Sequence, residues 1–222
     1  EMLRSDFINN FSHEFKTPIV SIAGFAKLLK RGNLTEEQKT EYLDIIEEES
    51  LRLSAMATNV LNLTKVENQA ILTDISEYNL SEQLRTCVLL LEAKWTRKRL
   101  EPELDFDEIR IEGSEELLKE VWINLLNNAV KFAPEGSSIL LKVEETPEAV
   151  TVTVKNEGPD IPPEAMNKVF NKFYQADESH ATAGNGVGLA IVKRVVDLHG
   201  GTVGVKSQNG ITAFTVRLPR QI

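Results

Sequence analysis

Two apolar series of helical period, split by a short break containing glycine, constrain this chain more than any other feature. From Leu3 the apolar residues recur as Phe7, Phe11, Phe15, Ile19, Ile22, Phe25 and Leu29, steps of three and four that mark one face of a long helix. Arg31-Gly32-Asn33 is expected to end it. Thr35, with Gln38 three residues on, then offers a capping box, and a second series runs through Leu43, Ile46, Leu53, Met56, Val60, Leu63 and Val66. A lone helical hairpin has an apolar stripe on each helix and little to bury it, so two copies are expected to pair as a homodimeric four-helix bundle.

After about residue 70 the pattern changes to shorter elements. The sequence therefore divides into a helical hairpin over 1–70 and a second domain over 71–222. In the second, Ser138 to Glu144 and Val150 to Asn156 alternate apolar with polar residues as a strand pair. Thr202 to Lys206 and Ile211 to Leu218 form another, joined by the hairpin signal Asn209-Gly210. Helices are expected near 81–98, 114–132 and 186–199. The fold class is thus α+β, with a helical hairpin followed by a sandwich of helices on one face of a mixed sheet. The stretch from Gln175 to Asn185 is small and polar and reads as a flap.

Composition narrows the functions. With 34 acidic against 25 basic residues the net charge is -9, so phosphate must be held by local geometry, and nucleic-acid binding is not expected. The single cysteine, Cys87, lies in an apolar run and reads as a buried thiol, without disulfide or cysteine metal chemistry. No apolar stretch approaches the roughly 20 residues that span a bilayer, so a soluble chain is expected. It opens at Glu1 inside a helical pattern, as a fragment with further chain upstream would.

Four clusters carry chemistry. In Phe11-Ser12-His13-Glu14-Phe15-Lys16-Thr17-Pro18, the helical period sets His13 opposite the apolar stripe, on the face that also carries Thr17. Glu14 can hold one tautomer of the imidazole so that the other ring nitrogen attacks. A solvated surface histidine is the plain alternative. In the helix over 114–132, Asn124, Asn128 and Lys131 share a side: carboxamide oxygens there can hold Mg²⁺ and the lysine can meet phosphate, although such asparagines are also ordinary on a solvated face. Gly184-Asn185-Gly186-Val187-Gly188-Leu189 opens a helix whose free N–H groups suit a phosphate. Its spacing and surroundings fit neither a P-loop nor a dinucleotide fingerprint. Asn156-Glu157-Gly158-Pro159-Asp160-Ile161-Pro162 ends a strand, where a polar side chain could read a base edge or simply make a turn.

In this order the clusters closely resemble those of sensor histidine kinases, over nearly the whole chain. FSHEFKTP is similar to the phosphoacceptor box, NLLNNAVKF to the N box, NEGPDIP to the first glycine box, FNKFYQAD to the F box and GNGVGLAIV to the second glycine box. The resemblance implies ATP and Mg²⁺ as cofactors, with phosphoryl transfer to His13 and then to the aspartate of a response regulator receiver domain. It makes Glu14 the orienting base and Thr17 a holder of water in the partner's dephosphorylation. Asn128 becomes the metal ligand, with Asn124 beside it and Lys131 on the phosphates. Phe170 and Phe173 would anchor the flap, and Gly184, Gly186 and Gly188 would cradle the phosphates, with Val187 and Leu189 between and after them.

Asn156, Gly158 and Asp160 would line the adenine side. The family usually has aspartate where this chain has Asn156, and glycine where it has Asp160. An amide oxygen still accepts the adenine hydrogen bond. Gln175 replaces a frequent arginine and leaves Lys172 as the F-box cation. A slow kinase is consistent with these departures, and a nucleotide-sensitive phosphatase or regulator is one alternative reading. A dimerising adaptor is another. The resemblance also implies that the parent is a membrane-attached sensor of the inner membrane, with this chain as its cytoplasmic domain.

Overall fold

The computed structural model describes residues 2–69, 71–172, 174 and 186–220, leaving aside the side chains of residues 2–11 and 13. Helix α1 (Met2–Arg31) and helix α2 (Glu36–Asn68) form the hairpin. The turn follows from its residues: Gly32 and Asn33 take φ of 74° and 58°, and Thr35 with Gln38 closes both halves of a capping box. Phe25 and Tyr42 meet across the hairpin with ring centroids 5.1 Å apart. Ile19 and Leu43 of its apolar series, and Leu51 and Leu61 outside that series, stay at least half exposed in the single chain. The far end of α2 behaves differently, because Leu63 and Val66 join the core of the following domain. No helix among the described residues is long and apolar enough to cross a membrane.

That domain contains β1 (Ile75–Asn79), α3 (Leu80–Leu90), α4 (Glu92–Arg97), β2 (Glu101–Asp105), β3 (Arg110–Ser114), α5 (Glu115–Phe132), β4 (Ser138–Glu145) and β5 (Ala149–Glu157). It continues with α6 (Pro163–Met166), α7 (Gly188–Leu198), β6 (Thr202–Gln208) and β7 (Ile211–Pro219). The main sheet has the order β2-β4-β5-β7-β6, parallel only between β2 and β4. Alternation decides its two faces. Ile139, Leu141, Val152, Val154, Phe214 and Val216 point into a core shared with α5 and α7, and the intervening residues are half exposed. Asn209 and Gly210, at φ of 56° and 75°, make the tight β6–β7 turn.

Three features depart from the sequence expectation. The helix expected over 81–98 breaks at Leu91, which turns into the core while Trp95 Nε1 donates to the Val88 carbonyl at 3.0 Å. The strand β2 is exposed at all five residues and so carries no alternation to read. The β1–β3 pair forms a separate two-stranded sheet. Cys87 is buried, which pushes its thiol up to about 11.

Candidate functional site

Helix α5 is amphipathic in a literal sense: Val121, Trp122, Leu125 and Leu126 are buried, whereas Asn124, Asn128 and Lys131 are half-buried along another side. Its orientation is set from beneath by Gln83. The Gln83 Oε1 accepts from Trp122 Nε1 at 2.8 Å and from the Tyr78 hydroxyl at 3.1 Å, and its Nε2 donates to the Glu115 carbonyl at 2.7 Å. A satisfied buried network of this kind holds one rotation of the helix.

The three asparagines of the N-box region then take different parts. Asn124 Nδ2 donates to the Glu120 carbonyl at 2.8 Å, and its Oδ1 lies so close to Gly188 that a Cβ there would come within 2.6 Å. Asn127 accepts from the Lys94 ammonium. The Asn128 side chain makes no hydrogen bond among the described residues, which leaves its amide oxygen for a ligand. The close approach of Gly188 to Asn124 joins the start of α7 to the polar face of α5. At that start Gly186 takes φ of 62°, Val187 is buried, Gly188 and Leu189 are half-buried, and no side chain among the described residues caps the helix, which leaves its first N–H groups for a ligand.

The residues expected on the adenine side lie at the end of β5. Asn156 is buried, with its Nδ2 on the Glu157 carbonyl at 2.7 Å. Gly158 has φ of 151° and packs on the end of α5, where a Cβ would lie 2.7 Å from the Phe132 carbonyl oxygen. Asp160 is exposed, and its Oδ1 accepts the Gly210 N–H at 2.9 Å, so this carboxylate fastens the β6–β7 turn. Ser207 Oγ accepts the neighbouring Ile161 N–H at 2.8 Å and shares a hydrogen bond with Thr212 at 2.7 Å. Phe170 packs edge-on to Phe214, with centroids 6.1 Å apart. Lys172 forms an ion pair with Glu67 of α2. Phe173, Gly184, Gln175 and the expected flap fall outside the described residues.

The hairpin comes alongside this face. Glu14 is half-buried and lies 4.0 Å from Arg52, which lies 3.9 Å from Glu49 on its other side. The buried Glu49 Oε2 has no hydrogen-bond partner among the described residues. Burial holds the Lys131 ammonium below its usual range, the Glu14 carboxylate opposes that shift, and Arg52 adds to it. Glu14 and Lys131 therefore share one electrostatic environment. Thr17 is exposed, three residues on from Glu14, and Pro18 inside α1 is buried. His13 lies within α1, and its side chain is outside the described residues.

Sequence reasoning passed over Arg52, Gln83 and His199. Arg52 looks like one more charge in an acidic helix, and nothing in its spacing marks it. His199 is fully buried; its Nε2 accepts the Ser114 N–H at 3.1 Å and its Nδ1 donates to the Val195 carbonyl at 2.8 Å. Burial lowers its pKa from 6.5.

Residues 113–222 match the histidine kinase-, DNA gyrase B- and HSP90-like ATPase family, and residues 3–69 match the His Kinase A phospho-acceptor domain. The sensor histidine kinase CusS of Escherichia coli O6:H1 is 30% identical over 218 residues, covering 97% of this chain and 45% of that protein. The chain thus spans about half the length of the curated relatives it matches. The catalytic domain of histidine kinase ThkA superposes with a TM-score of 0.61 at 30% identity, covering 67% of this chain and 97% of that one. Histidine kinase ThkA in complex with response regulator protein TrrA gives a TM-score of 0.81 at 27% identity, over 97% of this chain and 61% of the other.

Proposed function

Given that the chain belongs to the sensor histidine kinases, we propose that it transfers the γ-phosphoryl group of ATP to its own His13 and then to an aspartate of a response regulator. The observation that carries this reading is the seam between Gly188 and Asn124. It joins the uncapped start of α7 to the face bearing Asn128 and Lys131, with Asn156 and Gly158 at the end of the same helix.

On this reading the N–H groups opening α7 and the Lys131 ammonium bind the triphosphate, and the Asn156 amide faces the adenine. The Asn128 amide oxygen suits Mg²⁺, a hard cation that takes one or two protein oxygens together with phosphate oxygens, and no acidic cluster competes for it among the described residues. When bound, Mg²⁺ neutralises charge on the phosphate oxygens. A ring nitrogen of His13 forms the new bond to phosphorus while the bond to the bridging oxygen breaks and ADP departs. Glu14 accepts the hydrogen of the other ring nitrogen and stabilises the charge that develops there. In the second step the receiver aspartate takes the phosphoryl group and the imidazole is released. On the same reading Thr17, which is exposed three residues on from Glu14 on α1, holds the water that later hydrolyses the partner's acyl phosphate.

The exposed apolar residues of the hairpin support a homodimer, in which a second copy covers Ile19, Leu43, Leu51 and Leu61. The chain is then the cytoplasmic domain of a membrane-attached sensor. The test is incubation with γ-labelled ATP and Mg²⁺, comparing the wild type with His13→Gln. An acid-labile, alkali-stable label on the wild type alone is expected. ATP binding without any label would replace this reading with the nucleotide-sensitive phosphatase or regulator.

A further inference from the structure

Helix α5 ends at Phe132 with carbonyl groups that have no partner inside the helix. Three of them converge on one cation from another part of the chain. The Lys98 Nζ, just beyond α4, donates to the carbonyls of Val130 at 2.7 Å, Lys131 at 2.9 Å and Ala133 at 2.8 Å. An ammonium has three donors, so all are used, and a positive charge is favoured at the C-terminal end of a helix. The Lys98 carbonyl in turn accepts the Gly136 N–H at 3.0 Å, which ties the segment after α5 to the same residue. The remaining carbonyl, that of Phe132, faces Gly158 across a gap too small for a Cβ. The last turn of α5 is therefore held on one side by Lys98 and on the other by the strand end that carries Asn156. No other side chain bonds those three carbonyls among the described residues.

We propose that Lys98 is a positioning residue for the nucleotide: by gathering the carbonyls of this turn it sets where Asn128 and Lys131 stand relative to Asn156 and Gly158. It touches no reacting atom. Lys98 acts through the backbone of α5, and its loss lets the turn carrying the ligand groups move against the adenine side. The inference rests on the nucleotide reading of this face given above.

The test compares ATP affinity, thermal stability and autophosphorylation kinetics for the full chain and four variants. Lys98→Met keeps the alkyl stem without the charge, and Lys98→Arg keeps the charge on a fork that does not reproduce three converging donors. Leu84→Val, in the buried core on α3, serves as a change in stability alone. Asn128→Ala tests the nucleotide reading itself. All are measured at a temperature where circular dichroism shows them folded.

Lys98→Met is expected to raise Kd and KM for ATP about tenfold, the order of effect of one charged hydrogen-bonding partner, with kcat at saturating ATP little changed. Lys98→Arg should fall between it and the wild type. Leu84→Val should lower the melting temperature without moving Kd. A wild type that does not bind ATP, or an Asn128→Ala variant that binds as the wild type does, overturns the nucleotide reading and the inference together. If both controls behave and folded Lys98→Met binds ATP like the wild type, the positioning role alone fails.

Discussion

Gly188→Ala separates stability from nucleotide binding more cleanly than most changes in this domain. The glycine is not in the left-handed region, so alanine suits its backbone and gains about 0.4–1 kcal/mol by restricting the unfolded chain. The obstacle is the side chain opposite. A Cβ would lie 2.6 Å from Asn124 Oδ1, against a relaxed carbon–oxygen contact of about 3.3 Å, so one group must yield by about 0.7 Å. Rotating Asn124 away breaks its hydrogen bond to the Glu120 carbonyl, at about 0.5–1.5 kcal/mol, and strains its rotamer by a similar amount. The opposing effects leave a net loss of about 1 kcal/mol, a fall of about 2–4 °C in melting temperature for a chain of this size. Binding responds differently. If α7 moves instead, its N–H groups leave the positions proposed to meet phosphate, and a displacement approaching 1 Å at such a site costs about 10- to 100-fold. Thermal unfolding and calorimetric titration with ATP read the two effects separately. An ATP Kd within about twofold of the wild type together with an unchanged melting temperature, in a folded Gly188→Ala variant, would refute the close seam between Gly188 and Asn124 from which both effects are argued.

Asp160→Ala should release the β6–β7 turn, since the Gly210 N–H loses its acceptor; at this exposed position the cost is at most about 1 kcal/mol, and faster hydrogen exchange at Gly210 is the readout. Unchanged exchange there would show that the carboxylate does not fasten the turn. His199→Leu should destabilise by about 1–3 kcal/mol, because the buried Ser114 N–H loses its acceptor. It should also flatten the acid response. Burial lowers the folded-state pKa of His199 below 6.5, so the unfolded chain takes up the proton first. The stabilisation is complete above that value and is lost as pH falls below it. Between pH 7 and 5.5 the wild-type melting temperature should therefore drop more steeply than the variant's, and parallel slopes would remove His199 as the cause.

The parts of the fold that could be read in advance are those whose signal is local. Thr35 and Gln38 cap a helix because they are three residues apart, and Asn209-Gly210 turns a hairpin because both residues tolerate positive φ. Asn124, Asn128 and Lys131 fall on one side of α5 by helical period alone. By contrast, β2 pairs in parallel with a strand more than thirty residues away while exposing every side chain, so its sequence shows no alternation. The break at Leu91 was hidden because helix propensity continues through it, and the turn is made by packing of Leu91 and Trp95. The resemblance points Lys172 and Asp160 toward phosphate and adenine, and it carries no sign of the partners each has within the chain, Glu67 and the Gly210 N–H.

The sequence by itself determined the helical hairpin, the apolar faces of α5 and the sheet, and the order of the boxes, since periodicity and turn chemistry act between residues a few positions apart. Only the tertiary structure decided that Gly188 meets Asn124, that Glu14 lies in the field of Lys131, and that Lys98 gathers three carbonyls some 32 to 35 positions along the chain. A lysine, a glycine and a glutamate carry no mark of such partners. Which groups they reach is set by how α5, α7 and the hairpin pack, and those distances exist only once the core has formed.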